Sequence, residues 1–150
     1  MIKTVLAFFA AVLAAYVVAV LMYSQFNLAN LVEMGIEVDL GLRLQTALHD
    51  LTGMVGIYFP VLIVAFLIAF GVMRLILNWV PQLRTVGYIL SGFAAIFAID
   101  AILGSVFGMH PLAVTRTTMG LLGQCVAGAV GGYVFAWITT PADEKPYLAT

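Results

Sequence analysis

Residues 85–109, TVGYILSGFAAIFAIDAILGSVFGM, decide the fold. The run is apolar and long enough to cross a bilayer as a helix, which takes about 20 residues. It nevertheless holds one carboxylate, Asp100, near its middle. A charge at that depth is costly and needs polar company from neighbouring helices. The segment therefore predicts a membrane location and a bundle packed around it.

Three further stretches share this character, at about 4–23, 54–80 and 117–139. Of the 150 residues 64% are hydrophobic and 9% charged, and the mean hydropathy is +1.14. A soluble domain has about 45–50% apolar and about 25% charged residues, so too little polar surface exists to coat a globule in water. The expectation is an all-α integral membrane protein, one domain over 1–150 with four transmembrane helices. Lipid offers backbone groups no partner, and the alternation of a barrel strand is missing. Lys3 followed by an apolar run resembles a signal peptide, and the first span reads as an uncleaved anchor. A net charge of -1 gives no electrostatic case for nucleic acid. The single cysteine, Cys125, lies in an apolar run and reads as a small buried hydrophobe.

The polar stretch 24–53 falls between the first two spans, with Glu33, Glu37, Asp39 and Asp50 against Arg43 alone. Asn30 with Glu33 has capping-box spacing and suggests a short separate helical piece. Ile36–Leu40 alternates as a strand does, but extended chain up to Asp39 and helix after it is the preferred reading. Asp39 is a natural cap, and Leu40, Leu44, Leu48 and Leu51 form an apolar stripe. A short interfacial helix at about 40–52, on the membrane surface or over the bundle mouth, is expected. Pro81 is expected to end the second span, and Pro60 to bend it two turns from its outer end. The tail, 141–150, is expected to be loose.

Lys3, Arg74, Arg84 and Lys145 fall on one side of such a bundle, and Arg43 and Arg116 on the other. The excess of positive charge predicts both termini in the cytoplasm, with the loop 24–53 outside. Trp79 and Trp137 then end their helices on that same level. Arg74, near its helix end, is expected to reach lipid phosphates. A bacterial inner membrane is the expected location.

At steps of four, Asp100 shares a helix stripe with Gly92, Gly104 and Gly108, and Gln124 shares one with Gly120, Gly128 and Gly132. Missing side chains let two helix backbones approach closely, which strengthens dispersion where water cannot drive association. Folding the two spans about His110–Pro111 and matching depth at about 1.5 Å per residue sets Gly104 beside Gly120, Asp100 beside Gln124, and Gly92 beside Gly132. The carboxylate and the amide are thus expected to meet. Arg116, two turns outward, is the candidate cation for Asp100, with snorkelling to the surface as its other fate. Asp100 reads either as a proton or cation relay or as a device that fixes helix pairing; a lone acid favours the second.

His49, Asp50 and His110 are a weak metal candidate, because two of them come from different loops and the adjacent pair points to different sides of a helix. Helix-terminal hydrogen bonding is the expected fate of both histidines. The Cys-x-x-Cys of quinone-linked disulfide oxidases, the paired aspartates of lipoprotein signal peptidases and the first-helix acid of small multidrug transporters are all missing. No nucleophile–base pair and no cofactor motif stands out. The expected function is that of a small non-enzymatic membrane protein, acting as a homo-oligomer or as an accessory subunit. Its expected partners are the lipid bilayer and another membrane protein. The alternative is a small transporter or channel using Asp100.

Overall fold

A computed structural model describes residues 2–107 and 118–140. Five α-helices follow in order: α1, Ile2–Glu33; α2, Leu40–Gly53; α3, Tyr58–Leu77; α4, Arg84–Phe107; and α5, Thr118–Thr139. A 3-10 turn, Pro81–Leu83, leads into α4. Helices α1, α3, α4 and α5 are each long and apolar enough to cross a membrane. The protein is an all-α, membrane-embedded four-helix bundle with one additional short helix.

The first span is longer than expected. α1 has 32 residues, about 48 Å at 1.5 Å per residue, against a hydrocarbon core of about 30 Å. The segment from Ser24 to Glu33 is therefore helix, not extended chain, and Asn30 and Glu33 belong to α1 rather than to a separate capped piece. The stop comes at Gly35, whose φ of 83° is left-handed. There Ile36 N donates to Leu31 O at 3.1 Å and Gly35 N to Val32 O at 2.9 Å. Those two bonds satisfy carbonyls at the helix end, and glycine takes the required conformation without a Cβ clash.

Asp39 caps α2 as its position suggested: its Oδ1 accepts from Leu42 N at 2.8 Å. α2 then runs back along α1. Arg43 Nη1 donates to Gln25 Oε1 at 2.9 Å, and eight residues later Leu51 O accepts from Tyr16 Oη at 2.6 Å. Ala47 lies buried against the bundle, while Leu40, Leu44 and Leu48 of the leucine stripe stay exposed.

Two expectations about prolines are corrected. α3 begins at Tyr58, so Pro60 is its third residue. The first amides of a helix have no intrahelical acceptor, so a proline there breaks no bond and imposes no bend. At the other end α3 stops at Leu77, short of Pro81, which opens the 3-10 turn instead.

α5 is the centre of the bundle: half of its apolar window is buried, against 17% for α3. Two of its faces are bare of bulk. One carries Gly128 and Gly132 and meets α4. A Cβ at Gly92 would run into the Gly128 carbonyl, one at Gly128 into the Gly92 carbonyl, and one at Gly132 into the Tyr88 carbonyl. The other carries Gly123 and Gly131 and meets α1. A Cβ at Gly131 would stand 2.8 Å from Ala11 O and 2.8 Å from Ala15 Cβ. The matching surface on α1 is Ala7, Ala11, Ala15 and Ala19, all fully buried. α3 is held by the narrow stripe Tyr58, Leu62, Phe66 and Phe70.

Aromatic rings tie the four spans together at the end that carries Lys3. Phe70 packs on Phe135 at 4.7 Å between centroids, on Tyr88 at 5.4 Å and on Phe8 at 6.3 Å. Tyr88 meets Phe135 edge-on at 4.8 Å. These contacts set α1, α3, α4 and α5 at a common depth.

Candidate functional site

Several turns farther along the bundle from the aromatic layer, the helices bring their buried polar side chains together. Gln124 is fully enclosed. Its Nε2 donates to the Ala19 carbonyl on α1 at 2.9 Å. Its Oε1 accepts a long hydrogen bond, 3.4 Å, from the Tyr58 hydroxyl on α3. One amide on α5 thus links α1 and α3. An amide suits this position because it both donates and accepts, and a polar group enclosed by apolar helices must use both capacities.

Asp100 is contributed by α4 and is 6% exposed. It continues the stripe of Gly92 and Ile96, and both of those pack on Gly128 of α5. Tyr58 and Cys125 both lie within electrostatic range of it. The carboxyl therefore sits inside the bundle. α1, α3, α4 and α5 each supply a part of the cluster.

The two sequence-selected polar residues, Asp100 and Gln124, are both buried, and the described bonds of the amide run to Ala19 and Tyr58. Gly92 meets Gly132, as the glycine register predicts, and it also rests on the Gly128 carbonyl one turn away; Gly132 in turn rests on Tyr88. Gly120 is buried on α5, and Gly104 lies in α4. Gly108, His110 and Arg116 fall outside the described residues, as does the candidate Asp100–Arg116 pair.

His49 is exposed on α2, and among the described residues no group of three His, Cys, Asp or Glu side chains is placed to hold a metal ion. Cys125 is fully buried, with its thiol unbonded to any second cysteine. Ser24 is likewise fully buried, and its Oγ has no hydrogen-bond partner among the described residues.

Tyr58 was not singled out by sequence reasoning as the partner of Gln124, and Tyr16 was not singled out at all. Nothing local marks a tyrosine as a bundle-facing donor. The alanine stripe of α1 did have a signature, since Ala7, Ala11, Ala15 and Ala19 recur at the small-xxx-small spacing that membrane helix contacts use.

A second feature lies on the outside of α3 and α4. A groove of about 890 Å³ runs from Pro60 to Ile76 on α3 and from Gly87 to Ile102 on α4. Its walls are apolar, and its small lining residues include Ala65, Ala69, Gly87, Ser91, Ala94 and Ala98.

Fold and site define a membrane-embedded helical bundle with an internal polar cluster and a long apolar groove on one flank. Comparison with family models, with curated proteins and with solved structures finds no match to the chain.

Proposed function

We propose that this protein is a non-enzymatic membrane subunit that packs against another transmembrane helix, supplied by a second copy of the chain or by a partner protein of a membrane complex. The α3–α4 groove carries this reading. It reaches along α3 from Pro60 to Ile76, a rise of about 24 Å at 1.5 Å per residue, which is most of a hydrocarbon core of about 30 Å. Small residues at steps of three and four on α4 leave room for a helix backbone to approach, the condition for tight association in lipid. α3 itself buries only a narrow stripe within the chain, so its outer face has side chains to offer.

The orientation that goes with this reading has both termini in the cytoplasm of a bacterial cell, in its inner membrane. Lys3, Arg74 and Arg84 lining one cavity at one end of the bundle supports it.

Native mass of the chain, extracted from its membrane in mild detergent, tests the reading. The expected result is a multiple of the 16.1 kDa chain or a defined complex with another membrane protein. Ala94→Leu, which adds bulk to the α4 side of the groove, is expected to release the monomer with helical content unchanged. A wild-type chain that is monomeric in detergent and in vesicles overturns the proposal.

The second reading, a small transporter or channel, rests on the burial of the Asp100 carboxyl within the bundle. It predicts pH-dependent proton flux into dye-loaded vesicles that Asp100→Asn abolishes while the fold survives. The subunit reading predicts no flux from either form.

A further inference from the structure

The end of the bundle that carries Lys3 holds a second cavity, of about 780 Å³, between α1 and α3. Its composition is two-sided. The inner wall is the aromatic layer, Phe8, Phe70, Tyr88 and Phe135. Toward the helix ends it is lined by Lys3, Arg74 and Arg84, with Asn78 and Thr139 beside them. Three of the six lysines and arginines of the chain therefore converge on one cavity. No carboxylate among the described residues lines it.

The cations differ in their commitments. Arg84 is partly buried, and its Nη2 donates to the Thr139 carbonyl at 2.9 Å. Its Nε–H is buried and has no acceptor among the described residues. Lys3 and Arg74 are exposed at the rim. Below them, Leu67 and Gly71 of α3 continue the cavity toward the middle of the span. A Cβ at Gly71 would meet nothing within 4 Å, so the lining is open there.

We infer that this cavity binds an anionic phospholipid, with its phosphate among Lys3, Arg74 and Arg84 and an acyl chain along the apolar lining at Leu67, Phe70 and Gly71. Guanidinium groups suit a phosphodiester because their donors match its oxygens in pairs. The apolar lining accepts a hydrocarbon chain, which a free anion does not have. The position also fits, because a span's end is where a headgroup meets helix-terminal cations. This inference does not depend on the groove between α3 and α4.

Trp79 and Trp137, the two tryptophans of the chain, flank the cavity residues Asn78 and Thr139 in sequence and serve as reporters. The full chain is reconstituted in phosphatidylcholine vesicles, and quenching of its fluorescence by dibrominated phosphatidylglycerol is compared with quenching by dibrominated phosphatidylcholine. The expected result is a clear preference for the anionic lipid. Lys3→Gln and Arg74→Gln should each lower that preference about fivefold, the weight of one basic residue near an anionic surface. Arg43→Gln, on the opposite end, should leave it unchanged. Gly71→Leu, which adds bulk to the cavity lining and keeps every charge, should lower it as well.

Three results would overturn the inference. One is wild-type preference in the Lys3→Gln/Arg74→Gln double variant. Another is undiminished preference in Gly71→Leu, which would reduce the effect to surface charge. The third is loss of preference on adding inorganic phosphate in place of chloride at equal ionic strength, which would make the occupant a free anion.

Discussion

The Gln124 side chain donates to the backbone carbonyl of Ala19 across 2.9 Å, joining α5 to α1 within the bundle. The same amide accepts from Tyr58 on α3. A polar bond between membrane helices contributes about 0.6 kcal/mol on average and up to about 2. Gln124→Met keeps the volume and removes both bonds. It is expected to lower the unfolding free energy in detergent by about 1–2 kcal/mol, read from chemical denaturation followed by circular dichroism. Tyr58→Phe removes only the 3.4 Å bond and should cost less. A double variant no worse than Gln124→Met alone would show that the two side chains act as one unit.

Gly128 and Gly92 are in backbone contact, so bulk at either is resisted by main chain that cannot swing aside. Gly128→Val should destabilise the bundle by at least about 1–3 kcal/mol, the range for overpacking. Gly71→Ala is the control, because a Cβ there meets nothing. It should leave the melting temperature equal or higher, since alanine loses less backbone freedom in a helix than glycine does. Thermal melts of the two variants in the same detergent check the contrast.

Tyr16 satisfies the carbonyl of Leu51, one of the last four of α2, which has no partner within its own helix. Tyr16→Phe leaves that carbonyl unmet. Asp39→Ala removes the cap at the other end of α2, worth about 1 kcal/mol. Either variant should speed amide exchange across α2 while α5 keeps its protection. Equal acceleration throughout the chain would mean that α2 unfolds only together with the bundle.

Cys125 is sealed inside α5's packing surface. A maleimide reagent should leave it unmodified in the folded protein and label it once the bundle is unfolded. Gly123→Leu, which would press on Phe26 of α1 with its first carbon at 2.9 Å, is expected to raise the labelling rate of the folded form. The rate is read by intact mass over time.

Much of the architecture was legible in the residues. Four long apolar runs leave the backbone one solution in lipid, the helix, so the spans could be read at once. Asp39 announced α2 because a capping carboxylate acts on amides three residues away. Gly92, Gly128 and Gly132 announced a tight contact because bare backbone has few other uses inside a membrane helix. What went unread depended on neighbours distant in the chain. Glu33 and Asn30 look like the start of a helix, yet the outer part of α1 continues through them, with α2 laid along it and Arg43 joined to Gln25. Gln124 could be named as a polar residue at depth, but its partners Ala19 and Tyr58 lie 105 and 66 residues away. Local sequence encodes helix formation and small surfaces, because those depend on each residue and its near neighbours. Partner choice and register are settled by how four helices share one interior, where a buried donor such as the Gln124 amide takes an acceptor that another helix brings to the same depth.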